Sequence, residues 1–231
     1  MKPVIAALAL LSVAAPATAA DLPPVGRPVV VELFQSQGCS SCPPADANLN
    51  AIAGRPDVLA LNFGVTYWDH LGWKDTFAAP AYTDRQKAYA DALNAPLGTP
   101  EMVVEGRDSY IGADPREVAS ALKNAKPATD TRIANVAGRI QVAAGHAPKR
   151  AADVWLVRYD PRVQQVAIRR GENGGKTLPH KNTVRQLTRL GGWNGMPVSF
   201  AAPTSPDPAY KTAVLIQVAN GGPILAAAKL D

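Results

Sequence analysis

The residues of this chain best suited to do chemistry are two cysteines that stand close together. Cys39 and Cys42 lie in the stretch VVVELFQSQGCSSCPPAD, residues 29–46, and the 231 residues contain no other cysteine. Such a Cys-x-x-Cys pair serves as a structural disulfide, as half of a metal site, or as a thiol–disulfide redox pair. The surrounding residues help to separate these alternatives.

The structural and metal interpretations each lack something. A disulfide between residues this close closes a short loop, so it removes little entropy from the unfolded chain. A zinc site needs two further ligands, and His70, His146 and His180 show no ligand spacing. A Cu(I) carrier would use two soft thiolates, but no Met or His stands near the pair. A non-enzymatic binding module with a structural disulfide stays open as the main alternative to a redox pair, and a copper carrier as a lesser one.

The local order of elements favours the redox pair. Residues 29–34 form an apolar run broken only by Glu32, which predicts a strand buried on both faces. A helix is predicted over residues 44–53, directly after the cysteines. Cys39 would then lie at a helix N-terminus, where the dipole favours a thiolate. We therefore expect Cys39 to be the exposed, more acidic thiol and Cys42 to be shielded.

The elements that must position the pair occupy residues 27–125, with an insertion around residues 64–81. Patterns within this part predict a second buried strand, a helix, a hairpin and a last helix that Asp114 caps. Their predicted ranges are 58–63, 82–93, 102–111 and 114–124.

The chain changes character after a linker over residues 123–132. Short alternating segments predict strands at 153–159, 164–170, 197–201, 212–219 and 224–229, while residues 183–190 fit either a helix or a strand. The segment 133–231 is thus predicted to form a small, all-β, antiparallel sandwich-like domain. Nothing in it resembles a catalytic constellation, which favours a docking or architectural role.

One further loop completes a resemblance. Residues 97–100, Leu-Gly-Thr-Pro, precede the predicted hairpin and the capped helix. With this loop, residues 27–125 resemble an α/β thioredoxin-like domain. More closely, ELFQSQGCSSCPPAD, YWDHLGWKDTF and GTPEMVVEG resemble a family of exported bacterial thioredoxin-like proteins of unknown function. The similarity continues through RGENGGKTLPHKNTVRQL and LGGWNG.

The resemblance implies a role for several residues. Cys39 resembles the attacking cysteine and Cys42 the resolving one. Pro100 resembles a cis-proline, and Thr99 before it would offer its backbone to a substrate. Glu32 resembles a buried acid that moves protons during exchange. The dipeptide between the cysteines is Ser-Ser, without the proline found in thioredoxin.

The segment after the second predicted strand offers a possible substrate contact. Loops at this end of the sheet lie near the Cys pair in a thioredoxin-like fold, so Tyr67 and Trp68 are candidates for a substrate-facing aromatic lid. The alternative is that Trp68 and Trp73 only pack the insertion against the domain.

The first twenty residues, MKPVIAALALLSVAAPATAA, predict a secretory signal peptide and hence a periplasmic or secreted protein. No later stretch is apolar enough to predict a membrane span. Removal of Lys2 with the peptide leaves 23 basic and 19 acidic residues, 23 − 19 = +4. This scattered excess does not predict nucleic-acid binding. The sequence as a whole predicts a thiol–disulfide oxidoreductase that acts on protein or low-molecular-weight thiols without a cofactor.

Overall fold

The structure is a computed structural model and describes residues 27–126 and 131–230. The predicted signal peptide, residues 1–20, lies outside the described residues, as does part of the predicted linker. None of the helices in the described residues is both long and apolar enough to cross a membrane.

The described residues form three α-helices and thirteen strands, with a short 3₁₀ helix at Asp69–Leu71. In chain order they are β1 (Val29–Gln35), α1 (Pro43–Ile52), β2 (Val58–Gly64), α2 (Pro80–Leu93), β3 (Glu101–Val104), β4 (Asp108–Tyr110), α3 (Pro115–Asn124), β5 (Ile133–Val136), β6 (Arg139–Val142), β7 (Ala152–Asp160), β8 (Gln164–Ala167), β9 (Thr177–His180), β10 (Thr183–Trp193), β11 (Val198–Ala201), β12 (Lys211–Val218) and β13 (Ile224–Lys229).

Local chemistry explains the helices that the sequence predicts. All three have a proline in the first turn. The backbone N–H groups of a first turn have no hydrogen-bond partner within the helix, so a residue without an N–H is tolerated there. The side chain of Asp114 accepts a hydrogen bond of 2.8 Å from the backbone N–H of Arg116, so the predicted cap of α3 is confirmed. The ambiguous segment 183–190 is a strand, and the short strands β5, β6 and β9 were not predicted.

The predicted fold class, an α/β thioredoxin-like domain followed by a small all-β domain, is wrong. A single mixed sheet of eight strands runs through both parts, in the order β13-β12-β7-β10-β2-β1-β3-β4. Most of the regular structure is β, with three helices among the described residues. Two smaller sheets, β11-β6-β5 and β8-β9, accompany the large one.

The junction between the two parts explains the error. All seven residues of β2 are buried, so the backbone N–H and C=O groups along both of its edges need hydrogen-bond partners. One neighbour is β1; the other is β10, which runs parallel to β2 and pairs through Thr183 with Asn62. Asn182 secures the junction, since its side-chain amide donates to the carbonyl of Ala60 at 2.8 Å. A strand's apolar pattern reports its burial and does not identify its neighbour.

The hydrophobic core also crosses the boundary between the two parts. One cluster joins Phe34 and Tyr89 with Val157 and Leu215, and it lies on the α2 side of the sheet. A second cluster, around Leu49 and Met102, fills the other face of β1, β2 and β3 beneath α1 and α3. A third cluster lies between the three-stranded sheet and strands β7, β12 and β13.

Candidate functional site

The Cys pair lies where β1 passes into α1. Cys42 is the N-cap residue of α1, and the sulfur atoms of Cys39 and Cys42 lie at bonding distance with their Cα atoms 5.5 Å apart. The exposed fraction is 0% for Cys39 and 1% for Cys42. The expectation that Cys39 is exposed is therefore wrong for this disulfide form.

Two consecutive prolines shape the start of α1. Pro43 and Pro44 occupy its first positions and have no N–H, so they remove two of the donors that a helix start offers to a thiolate. The helix dipole still points its positive end toward Cys39 and Cys42. Any stabilisation of a Cys39 thiolate by α1 thus comes from the dipole more than from direct hydrogen bonds.

The loop over residues 97–100 lies against the Cys pair. The Thr99–Pro100 peptide bond is cis, as the resemblance implied. The carbonyl oxygen of Thr99 is 3.7 Å from Cys39 Sγ, and it accepts a hydrogen bond of 3.4 Å from the Ser41 hydroxyl. Ser41 Oγ is itself 3.3 Å from Cys39 Sγ. The structure thus brings Cys39, Cys42, Thr99 and Pro100 together.

A polar network supports this loop from behind. The side-chain amide of Gln86 donates to the carbonyl of Gly98 at 2.7 Å and to the carboxylate of Glu101 at 2.9 Å. Tyr67 donates its hydroxyl to Gln86 Oε1 at 3.1 Å, and Ser109 donates to Glu101 at 2.9 Å. Burial raises the pKa of Glu101, although the bonds from Gln86 and Ser109 lower it. Tyr67 therefore supports the loop indirectly, because its hydroxyl donates to Gln86 of α2.

Glu32, the predicted proton-moving acid, has other partners. Arg85 of α2 binds it with two hydrogen bonds of 2.7 and 3.0 Å, and the hydroxyl of Tyr89 donates to the same carboxylate. On β1, Val31 and Leu33 face α1. Because successive side chains of a strand alternate, Glu32 points to the α2 face, away from α1 and the cysteines.

The aromatic segment after β2 packs beside the pair. Trp68 is half-buried and lies so near Gly38 that a Cβ there would contact it at 3.8 Å. Trp73 donates its ring N–H to Gln37 Oε1 at 3.0 Å, and Asp75 accepts from the backbone N–H of Gln37 at 2.7 Å. These contacts hold the segment against the loop that carries the cysteines.

A loop from the second part of the chain encloses the pair. This cap loop, residues 168–176, connects β8 and β9. The fully buried side chain of Asn173 donates to the carbonyls of Gln37 and Cys39 at 3.0 and 2.8 Å. The carboxylate of Glu172 accepts from the backbone N–H of Ser40 at 3.0 Å. Hydrogen bonding to the side chain and backbone of Ser40 lowers the pKa of Glu172. The cap loop thus binds the residues on both sides of Cys39.

A buried polar cluster lies beneath α1. Asp46 accepts hydrogen bonds from the amide of Asn62 at 2.8 Å and from His180 Nδ1 at 3.3 Å. Gln35 donates to Asn62 at 3.1 Å. Within the described residues, Asp46 Oδ2 and His180 Nε2 are buried without a hydrogen-bond partner. No group of three or more His, Cys, Asp or Glu in the described residues is arranged to hold a metal ion.

The sequence did not single out several residues that the structure places around the pair. They are Gln37, Asp46, Asp75, Glu172 and Asn173. Asn173 begins the run Asn-Gly-Gly, which is typical of a turn but does not identify the partner of its side chain. A cleft of about 470 Å³ between α2 and strands β7, β10 and β12 contains neither cysteine.

Comparisons with known proteins agree with this overall structure. A crystal structure of an Agrobacterium tumefaciens protein, solved by a structural genomics consortium, is 33% identical with a TM-score of 0.70 and covers 87% of this chain and 93% of its own. The structure of HBP35 of Porphyromonas gingivalis has a TM-score of 0.56 at 13% identity, covering 88% of this chain and 74% of its own, and so shows likeness of fold alone. No curated protein matches the sequence. The model of a protein family of unknown function, DUF1223, matches residues 30–217. The chain therefore belongs to the DUF1223 family.

Proposed function

We propose that this protein is an exported thiol–disulfide oxidoreductase that acts through Cys39 and Cys42 on protein or low-molecular-weight thiols. The observation that supports this most is the 3.7 Å approach of Cys39 Sγ to the carbonyl oxygen of Thr99. A backbone carbonyl beside the reacting sulfur gives an extended substrate segment a place to pair. This proposed chemistry resembles that of thioredoxin-like proteins. It needs no organic cofactor, because the electrons move between sulfur atoms.

The reaction begins with the disulfide. A substrate thiolate attacks Cys39 Sγ, the Cys39–Cys42 bond breaks, and Cys42 leaves as a thiolate that takes up a proton. A second substrate thiolate then attacks the substrate sulfur of the mixed disulfide and releases Cys39. The substrate loses two electrons and the Cys pair gains them. The reverse sequence reduces a substrate disulfide.

Access to Cys39 requires movement of the cap loop. Both cysteines are enclosed, and Asn173 ties the cap loop to the Cys39 carbonyl. A substrate thiolate needs an unobstructed line to the sulfur that it attacks. The proposed enzyme therefore reacts in a state in which the cap loop has moved away from Cys39.

The same enclosure supports a second candidate, a non-enzymatic binding module whose disulfide is inert. Structural disulfides resist reduction by glutathione and have reduction potentials below roughly −300 mV. The reduction potential, measured by equilibration with glutathione, separates the two candidates. A value well above that limit supports the oxidoreductase, and a value well below it contradicts the proposal.

Trapping gives a second, independent measurement. In Cys42→Ser the mixed disulfide on Cys39 cannot be resolved, so partners should accumulate as covalent adducts when the variant is expressed in its native compartment. Cys39→Ser is the matched control and should capture fewer of them. Equal capture by both variants, or none by either, would count against Cys39 as the attacking thiol.

A further inference from the structure

The buried polar cluster beneath α1 has the properties of a proton acceptor. We propose that Asp46, held in place by His180, accepts the proton that Cys42 loses when it resolves a mixed disulfide on Cys39. This inference rests on the proposed function and names the residues that move its proton. It places the proton acceptor on α1, the helix that Cys42 caps. This helix lies on the opposite face of the sheet from Glu32.

Cys42 needs a nearby acceptor because it is enclosed. The thiolate, and not the thiol, is the nucleophile in disulfide exchange. Cys42 is 1% exposed, so bulk water has little access to its sulfur. Glu32 does not serve it, since the Glu32 carboxylate is bound by Arg85 on the α2 face.

Asp46 stands one helical turn after Cys42. Cys42 has helical backbone angles, φ −77° and ψ −34°, and the Asp46 backbone N–H donates to the Cys42 carbonyl at 3.1 Å. Side chains four residues apart on a helix lie on the same face, with Cβ atoms about 5–6 Å apart. The Asp46 carboxylate is thus the acidic group of α1 that lies on the same face as Cys42 within one turn.

The carboxylate of Asp46 is only partly satisfied. Its Oδ1 atom accepts from Asn62 and His180, while Oδ2 has no partner within the described residues, and Asp46 is 4% exposed. A buried acceptor without a donor destabilises the folded state, and a charged one does so more strongly. A donor that reached Oδ2, such as the thiol of Cys42, would relieve that destabilisation.

His180 positions the acid. Because a carboxylate oxygen only accepts, the ring must carry its proton on Nδ1, the nitrogen that bonds Asp46. The edge of Phe77 packs against the ring with centroids 5.8 Å apart. Asn50 of α1 donates to the carbonyl of Pro179, the residue before His180, at 2.9 Å. His180 is therefore fixed to the helix whose acid it holds.

Among the described residues, both neutral and charged side chains surround Asp46 and His180. Asn62 on β2 and Gln35 on β1 are neutral amides. The guanidinium of Arg185, on β10, lies over the Phe77 ring at 4.8 Å from its centroid. Burial raises the pKa of Asp75, although hydrogen bonds from the backbone N–H groups of Gln37 and Phe77 act in the opposite direction. Asp75 and Arg185 are the charged groups that a pH profile of this site must take into account.

The proposed step balances as follows. Cys42 gives its proton to Asp46 Oδ2, and its sulfur forms a bond to Cys39 Sγ. The bond between Cys39 Sγ and the substrate sulfur breaks, and the substrate leaves as a thiolate with the electron pair. The two cysteines are oxidised to the disulfide and the substrate disulfide is reduced to two thiols. The proton on Asp46 then passes to the leaving thiolate.

The test uses the reduced full-length protein and dithiobis(nitrobenzoate), whose coloured thiolate is released twice. The first release reports attack by Cys39 and the second reports resolution by Cys42. In Asp46→Asn we expect the second release to slow about 10²-fold at neutral pH, the low end of what a positioned proton acceptor contributes. The first release should keep its rate. The deficit should shrink as the pH rises toward the ordinary thiol value of about 8.5, where Cys42 ionises unaided.

Controls separate this role from a structural one. Asp91→Asn, an exposed change on α2, should leave both releases unchanged, and His180→Gln should slow the second release by less than Asp46→Asn. If Asp46→Asn does not fold, His180→Gln and the wild-type pH profile of the second release carry the test. An unchanged second release in both variants, or slowing that is equal at all pH values, overturns the inference. A wild-type protein that never gives a second release contradicts the proposed function itself.

Discussion

Removal of the Asn173 side chain should open the site. Asn173→Ala deletes two buried hydrogen bonds, of 3.0 and 2.8 Å. The Gln37 carbonyl is left without a donor, and the Cys39 carbonyl keeps only its bond of 3.3 Å from the backbone N–H of Cys42. Leaving a buried acceptor unsatisfied costs about 1–3 kcal/mol and losing an ordinary hydrogen bond costs about 0.5–1.5 kcal/mol, so the change should weaken docking of the cap loop by about 2–4 kcal/mol. At about 1.4 kcal/mol per factor of ten, the open state becomes about 30- to 700-fold more populated.

The rate at which the disulfide is reduced measures this population. If reduction waits for the cap loop to open, the rate constant rises by the same factor as the open population. Oxidised protein is mixed with excess dithiothreitol, samples are quenched with an alkylating reagent, and the mass shift gives the reduced fraction over time.

Asn194→Ala is the matched control, since the Asn194 side chain accepts a hydrogen bond in an exposed turn of its own. It should be reduced at the wild-type rate. Reduction of Asn173→Ala at the wild-type rate, with the variant folded, would refute the idea that the cap loop governs access to Cys39.

Three other predictions follow from the buried polar groups. Arg85→Met should destabilise the protein by about 3–5 kcal/mol in urea unfolding because it leaves the Glu32 carboxylate buried and unpaired, and adding Glu32→Gln should recover part of that loss. Burial raises the pKa of Glu101, so the folded state binds the proton of this carboxyl more tightly than the unfolded state does. The contribution of Glu101 to stability should therefore fall as the pH rises above 4.5. Glu101→Gln should flatten that part of the stability–pH curve, and an unchanged curve would contradict the assignment. Asn182→Ala should lower the free energy of unfolding by about 1–3 kcal/mol through the lost bond to the Ala60 carbonyl. Asn182→Gly, which suits the positive φ of 51° at this position, should lose less, and equal losses would show that the backbone angle is unimportant there.

Much of the local structure could be predicted because its causes are local. The apolar run of β1, the prolines and the cap of α3, and the turns between short strands act over a few residues. The position of Cys39 and Cys42 at the start of α1 follows from this local order. The cis Thr99–Pro100 bond followed from a resemblance of the surrounding segments, which also depends on sequence alone.

The face of the sheet that Glu32 occupies could not be predicted from local sequence patterns. Its burial could be predicted from β1, but the face that it occupies depends on which helix covers which side of the sheet. In the structure, Glu32 binds Arg85 on the α2 face of the sheet, whereas Asp46 lies on the same face as α1 and Cys42. Sequence spacing alone does not distinguish these two carboxylates.

The sequence by itself determined the Cys pair, the helix that begins beside it and the strands that alternate through both parts of the chain. Only the tertiary structure decided that β10 joins β2 in one sheet, that Asn173 reaches Cys39 across 134 residues, and that His180 meets Asp46 across the same separation. A side-chain pattern records whether a residue is buried and on which face of its own strand or helix. The identity of a distant partner depends on how all the strands share one sheet, because hydrogen bonds between backbones are the same for every sequence.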